Sequence, residues 1–392
     1  MVRINPEKLS NDTPYFLLNQ DELDKNIANA KKALQTHWSN YHIGYSFKTN
    51  SLPWICRYVN SKNLFAEVVS ETELELARKT GYSDDRIIYN GPKKNYEGFS
   101  SVLEHGGIVN IDSQRELEYL NRLDKVKHYS VGLRVNYNLE KQCPGETSAG
   151  EEGGRFGFCL ENGELGKAIE KVRKLPNVEI AGLHLHASSK TRSISIYQSH
   201  ARIACQIQRQ YNLNLRYIDV GGGFFGGLAD KPQYEDYITA IADELKATFF
   251  ADETTLIIEP GASLIASPVS YVCKVIDIKD TTYGRFVITD GSRIHIDPLM
   301  HKSKYFITTS SKKNPLSRQI ICGFTCMEGD RITELTDAAE LSVGDTLTFD
   351  KVGSYTMCLS PLFIEYFPPV YLQTEEGIEE IRRRWTVDDV LR

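Results

Sequence analysis

No stretch of this 392-residue chain approaches the roughly 18 consecutive apolar residues that a membrane-crossing helix needs. The opening residues, Met1-Val2-Arg3-Ile4-Asn5-Pro6, lack the apolar core of a secretory signal. Positive charge is not in excess: 46 Lys and Arg face 52 Asp and Glu, for a formal net charge of −6. The chain therefore carries no basic footprint for nucleic acid or an anionic membrane. Its eight cysteines form no C-x-x-C pair and show no zinc spacing. No His/Asp cluster with ligand spacing appears either, so no metal is expected. The thiols read as free, in a cytoplasmic protein. No 20–50-residue repeat or low-complexity segment stands out. What remains is ordinary globular composition, 41% hydrophobic and 25% charged, long enough for a barrel plus a smaller domain.

Short β-branched runs alternate with amphipathic helical stretches. The runs are His42–Phe47, Leu64–Val69, Arg86–Tyr89, Ile108–Ile111, Ser130–Val135, Glu179–His186, Leu215–Val220 and Thr255–Glu259. Between them, patterns such as Ser70–Thr80 and Tyr237–Ala247 place apolar residues at helical spacing. Eight β/α units are the count of a TIM (β/α)8 barrel, an α/β fold. After Glu259-Pro260-Gly261 the rhythm changes. Ala262–Ile276, Arg285–Ile288, Gln319–Cys322, Thr346–Lys351 and Phe363–Phe367 read as strands of a C-terminal β-domain, with turns at Asp290-Gly291 and Val343-Gly344-Asp345. Thr13–Leu18 is strand-like and precedes a helix at Asp21–Leu34. The expected division is 1–27, a strand and linker packing with the β-domain; 28–262, the barrel; and 263–392, the β-domain. Asn138–Gly154, rich in Gly, Glu and Ser, reads as a long loop over the barrel mouth.

Barrel chemistry gathers at the carboxyl ends of strands. Read in order, those ends carry Lys48, Glu67, Asn90, Asp112, Arg134, His186, the run Gly221-Gly222-Gly223, and Glu259. A lysine amine desolvated at a strand end can lose its proton near neutral pH and form a Schiff base with an aldehyde cofactor. Glycines let backbone N–H groups approach an anion closely, and the loops after strands seven and eight are the usual phosphate site of barrels. A plain tight turn accounts for the same glycines. So does a dinucleotide fingerprint, Gly221-x-Gly223-x-x-Gly226, whose acidic partners would be Asp243 and Glu244. Glu259, at a chain break before Pro-Gly, would hold a pyridine nitrogen protonated, or it is an ordinary capping acid. His186 would stack on a ring, or it is a core histidine. His184 is expected on the opposite strand face or layer and to be structural. Arg134 either pairs with a carboxylate near the cofactor or braces the barrel.

Tyr45-Ser-Phe-Lys48-Thr-Asn50 resembles a Y-x-x-K-x-N lysine motif, and Glu67-Val-Val-Ser70-Glu-Thr-Glu73-Leu74 resembles D-V-V-S-x-x-E-L. Leu183-His-Leu-His186-Ala-Ser-Ser189, Asp219-Val-Gly221-Gly-Gly223-Phe224, Glu259-Pro-Gly261, Cys326-Met-Glu-Gly-Asp330 and Gly353-Ser354-Tyr355 follow in order. Together they resemble the fold-type III pyridoxal-phosphate decarboxylases of diaminopimelate, ornithine and arginine, across nearly the whole chain. The resemblance implies roles. Lys48 would bond the cofactor and His186 would stack on its ring. Ser189, Gly221, Gly222, Gly223 and Gly261 would support ring and phosphate, with Glu67 and Arg134 nearby. Glu259 would bind the ring nitrogen and Tyr355 would reach the phosphate. Cys326, from the partner subunit of a head-to-tail homodimer with interfacial active sites, would protonate the product carbon.

Three positions depart from the family pattern. Ala262 stands where E-P-G-R has arginine. Met327 follows Cys326 where enzymes acting on diamino acids have an acid, with Glu328 one position later. Ile296-Asp297-Pro298 carries an acid where the diaminopimelate enzymes have I-R-P. Met327, Glu328, Asp297 and Tyr355 are thus candidate substrate contacts. The expected substrate is a diamino or carboxyalkylated amino acid other than diaminopimelate, with exposed Arg293 able to compensate in part. Two other functions share the fold. Alanine racemases place an arginine at the pyridine nitrogen, which Glu259 argues against. A catalytically silent binding relative is opposed by the retained Lys48, Glu259, His186 and Cys326.

Overall fold

A computed structural model describes Leu9 and residues 11–391; the reading of Met1–Pro6 lies outside the described residues. The chain forms two compact units. One is Ile27–Ser263, and the other joins the described residues before Ile27 to those from Leu264 onward.

The strands, in chain order, begin with β1 (Tyr15–Asn19), β2 (Tyr41–Ser46), β3 (Phe65–Ser70), β4 (Ile87–Lys93) and β5 (Ile108–Ile111). They continue with β6 (Tyr129–Asn136), β7 (Phe158–Cys159), β8 (Val178–His184), β9 (Tyr217–Asp219) and β10 (Thr255–Ile258). In the first unit the order β5-β4-β3-β2-β10-β9-β8-β6 is closed by pairing of β5 with β6, and every pairing is parallel. This is the expected (β/α)8 barrel; β7 adds a short parallel strand beside β6.

Local sequence explains its helices. In the helix Glu71–Lys79, the Ser70 hydroxyl accepts from the backbone N–H of Glu73, acids fill the first turn, and Arg78 and Lys79 fill the last. Cap and dipole thus agree, and Leu74 and Ala77 supply the buried face. Inside the barrel, the Tyr217 ring packs with Ile88, Ala181 and Ile257. It fits because Gly182 and Gly132 leave room: a Cβ at Gly182 would lie 2.2 Å from the ring, and one at Gly132 would lie 2.1 Å from its hydroxyl.

The second unit is a mixed β-sheet. Its further strands are β11 (Val269–Thr281), β12 (Gly284–Thr289), β13 (Phe306–Thr309), β14 (Pro315–Cys322), β15 (Arg331–Ala339), β16 (Thr346–Asp350), β17 (Val370–Thr374) and β18 (Gly377–Arg382). The order is β15-β14-β12-β11-β1-β17-β18, with β16 bridging β11 and β13. β1 lies antiparallel to β11 and parallel to β17.

Several expectations need correction. Ala262–Ile265 is a helical turn, and the strand begins at Val269. Phe363–Phe367 is not a strand, because its two prolines follow at once and only an isolated Phe363–Glu365 bridge forms. β13, β15, β17 and β18 go beyond the expected set. The loop Asn138–Gly154 contains short helical turns at Leu139–Gln142 and Gly150–Glu152. Strand six ends at His184, so His186 lies in the loop beyond it.

Candidate active site

The carboxyl ends of the barrel strands converge on one hydrogen-bonded network. Lys48 sits in a 3-10 turn directly after β2, with its Nζ 3.1 Å from Glu67 Oε2. That same oxygen accepts from Ser46 Oγ at 2.6 Å. Asn90 Nδ2 donates to Glu67 Oε1 at 3.1 Å and to Glu259 Oε1 at 2.5 Å. Asn110 Nδ2 donates to Asn90 Oδ1 at 2.9 Å and in turn accepts, through Oδ1, from the Tyr217 hydroxyl at 2.8 Å. Glu67, Asn90, Asn110, Asp219 and Glu259 are all buried. Buried polar groups of this kind are stable only when bonded to one another, so the network fixes its own geometry.

Glu259 follows β10 and closes the chain back toward the lysine. Ser46 N–H donates to the Pro260 carbonyl at 3.3 Å. At Gly261 a Cβ would lie 2.0 Å from Thr49 Oγ1, so only glycine allows the Glu259-Pro-Gly turn this close to Lys48-Thr49. Burial alone would raise the Glu259 carboxyl, but His184 and the Lys48 amine act against it and hold it well below the usual carboxylate range. It is an anion at neutral pH.

The ring of His184, the last residue of β8, and that of His186, two residues beyond it, stack with planes 9° apart and centroids at 6.2 Å. This corrects the placement of His184 on the opposite face: the two rings stack rather than point apart. His184 Nε2 lies 3.5 Å from Glu259 Oε2. His186 is half-buried beside Lys48 and Arg134, and desolvation first and those cations second hold its pKa well below the ordinary histidine value. Its ring is neutral, and Nδ1 accepts from the N–H of Gly222 at 3.2 Å. The glycine turn wraps that ring. Gly221 has φ +70°, and a Cβ there would lie 2.4 Å from His186 Nδ1. A Cβ at Gly222 would lie 2.1 Å from the Glu259 carbonyl oxygen. No helix opens at this turn; the next is Tyr234–Leu245, which contains Asp243 and Glu244. The dinucleotide fingerprint therefore lacks the helix start it requires.

Arg134 does more than brace the barrel. Its Nη1 lies 3.4 Å from Asp112 Oδ1, Nη2 donates to the His186 carbonyl at 3.4 Å, and the Phe156 ring covers the guanidinium at 4.6 Å. Ser189 Oγ accepts from Arg192 N–H at 2.9 Å and shapes that turn. Behind Lys48, Glu73 accepts from Val69 N–H at 2.8 Å, and burial raises its carboxyl to about 7.

In the second unit, Cys326, Met327 and Glu328 share an exposed turn, and Tyr355 is exposed at φ +56°. Asp330 secures that turn from behind. Its Oδ2 accepts from Thr325 N and Oγ1 and from Ser292 Oγ, and its Oδ1 accepts from Arg293 N. Asp297 is different. It is buried, and its carboxylate accepts from the Arg293 guanidinium, Tyr305 OH and the backbone N–H of His301 and Lys302. The carboxylate is committed to its own loop, and Arg293 is committed with it rather than exposed.

Asn110 and Tyr217 enter the network, and Glu73 lies behind it, without having been singled out for a role. Asn110 left a readable signal, a polar residue inside the apolar strand Ile-Val-Asn-Ile. An amine at a strand end, a buried carboxylate kept ionised, a flat neutral imidazole and a glycine turn that excludes side chains together fit pyridoxal phosphate.

The comparisons agree with this geometry. A family profile described as "Pyridoxal-dependent decarboxylase, pyridoxal binding domain" matches residues 20–266. A probable chloroplastic diaminopimelate decarboxylase of Oryza sativa subsp. japonica is 26% identical over 97% of this chain and 79% of its own length. Diaminopimelate decarboxylase of Methanocaldococcus jannaschii is 26% identical over 97% of this chain and 90% of its own. A crystal structure of diaminopimelate decarboxylase from the same genus and species superposes with a TM-score of 0.87 at 25% identity, covering 98% of this chain and 93% of the other.

Proposed function

The chain belongs to the pyridoxal-dependent decarboxylases, and we propose that within this family it acts on a diamino or carboxyalkylated amino acid other than diaminopimelate. Its reaction is pyridoxal phosphate-dependent decarboxylation of an amino acid. Bound at the barrel end, the cofactor supplies a sink for the electron pair left when the carboxylate departs as carbon dioxide. In our reading Lys48 holds the cofactor covalently through its amine, and Glu67 orients that amine. The ionised Glu259 would keep a proton on the ring nitrogen, and the neutral imidazole of His186 would offer the ring a flat apolar face. Arg134 holds the loop that carries His186. The side-chain-free turn Gly221-Gly222-Gly223 would leave room for the phosphate, with Tyr355, Ser189 and Gly261 in support, while the N–H groups of Gly221 and Gly222 are held by Asp219 and His186. Cys326 of the partner subunit would deliver the proton to the product carbon through its Sγ.

The observation that carries the assignment of roles is Glu259, a buried carboxylate whose oxygens face Asn90 and His184 and which stays ionised. A homodimer with shared sites is supported by the exposed apolar run Leu359, Leu362, Phe363 and Ile364. A cytoplasmic setting is supported by the eight cysteines, which form no disulfide among the described residues. For the substrate, support comes from two lost cationic groups and one displaced acid at positions where the diaminopimelate enzymes carry them. Ala262 opens a helical turn, Met327 is exposed beside Cys326, and Arg293 is held by Asp297.

The test is carbon dioxide release across diamino acids, their carboxyalkylated forms, D-amino acids and meso-diaminopimelate. Release from a diamino or carboxyalkylated substrate, abolished in Lys48→Ala, is expected. Efficient conversion of meso-diaminopimelate to lysine would overturn the substrate reading.

A further inference from the structure

Asp219 ends β9 and is completely buried. Its carboxyl lies beside that of Glu259: one polar atom from each of His184, Asp219 and Glu259 falls within 4.8 Å of the others. Two carboxylates this close in a water-free interior repel strongly, so the pair holds one proton between them. The surroundings decide where that proton sits. Glu259 has the short bond from Asn90 and the His184 ring edge, with the Lys48 amine beyond. Asp219 has one backbone N–H, that of Gly221 on Oδ1 at 2.9 Å, and a long contact from Asn110 on Oδ2 at 3.5 Å.

The charged and titratable groups around Asp219 are Glu259 after β10, Glu67 on β3, His184 on β8, Arg134 on β6 and Tyr217 on its own strand. The carboxylates outnumber the one guanidinium. Burial first, and the facing Glu259 charge second, push the Asp219 carboxyl well up.

We propose that Asp219 is a neutral, protonated acid that positions two parts of the site at once, the Glu259 carboxylate through its own proton and the first glycine of the turn through Oδ1. The proposal rests on the reading of Glu259 as the partner of the cofactor's ring nitrogen. Asp219 touches neither cofactor nor substrate in this account. It couples the group that faces the ring nitrogen to the turn that faces the phosphate, so that one short buried link sets both ends of the cofactor site.

The sign of the linkage follows from the raised carboxyl. Stability gained by holding the proton is complete below the unfolded value near pH 4, and is lost as pH rises toward the folded value. Asparagine at this position keeps the shape, donates toward Glu259 and accepts from Gly221, but takes up no proton.

The experiment is urea unfolding of the full-length chain from pH 4.5 to 8, for wild type, Asp219→Asn and Asp219→Ala, with cofactor absorbance followed in the loaded proteins. Asp219→Asn is expected to fold and to keep the wild-type pH dependence of the cofactor spectrum. The unfolding constant of wild type relative to Asp219→Asn should climb by up to about tenfold per pH unit in that range. Asp219→Ala is expected to bind the cofactor at least about tenfold more weakly, because both positioning bonds are gone. A flat ratio of unfolding constants, an Asp219→Asn chain that does not fold, or one whose spectrum matches Asp219→Ala overturns the proposal. Each such result leaves carbon dioxide release intact as a separate test of the function, and loss of that release leaves the unfolding slope standing.

Discussion

The two units carry their chemistry in opposite ways. In the barrel unit, Glu67, Asn90, Asp219 and Glu259 are at most 3% exposed and belong to one buried polar network. In the β-unit, Cys326, Met327, Glu328 and Tyr355 stand exposed on turns, and the carboxylate that organises the first of these turns, Asp330, lies buried behind it. A buried network sets protonation states and geometry before anything binds. An exposed turn held from behind presents side chains without fixing them. The first arrangement suits a cofactor that every turnover uses in the same pose, and the second suits contacts that vary with substrate or partner.

The contrast can be broken or sharpened by substitution. Glu259→Gln keeps the volume and removes the charge. Carbon dioxide release should fall by about two to three orders of magnitude, while borohydride still traps cofactor on Lys48. Loss of the trapped cofactor would mean that the network also governs binding. Cys326→Ser should reduce turnover by about a hundredfold with an unchanged cofactor spectrum, read by steady-state assay and absorbance. A changed spectrum would erase the distinction between the units. Asp297→Ala leaves the Arg293 guanidinium, the Tyr305 hydroxyl and two backbone N–H groups without their acceptor. A loss of about 2 kcal/mol in chemical denaturation is expected, with substrate preference little altered; a large change in preference would return Asp297 to the substrate.

Glu73 gives an effect on stability alone, confined to part of the pH range. Its folded carboxyl, raised to about 7 by burial, binds a proton more tightly than the unfolded chain does. The stability this contributes is complete below about pH 4.5 and is lost as pH rises through about 7. Glu73→Gln should flatten that part of the stability profile measured by urea denaturation.

Much of the barrel was legible because each strand is a short apolar run followed by a chemically distinctive residue. Lys48 and Glu259 could be picked out from their local surroundings alone. The β-unit was harder to read. β15 (Arg-Ile-Thr-Glu-Leu-Thr-Asp-Ala-Ala) and β18 (Gly-Ile-Glu-Glu-Ile-Arg) are edge strands with polar outer faces, which dilute the hydrophobic signal. Phe363–Phe367 gave the opposite error. Its aromatic content suggests a strand, but the prolines after it and the exposure of its side chains belong to a surface segment. His184 was misjudged because its ring stacks with that of His186, two residues beyond the strand end.

The sequence by itself determined the chemistry on offer: an amine, an ionisable acid and a glycine turn at successive strand ends, in the order of a known family. That information is local, since each group follows its own strand. Only the tertiary structure decided what those groups are. Asn90 reaches Glu259 across 169 positions of chain because the sheet closes. Closure removes water, and the removal of water makes His186 neutral, keeps Glu259 charged only through its neighbours, and sets Asp219 against it. Charge state depends on distance and burial, and neither exists until the barrel has formed.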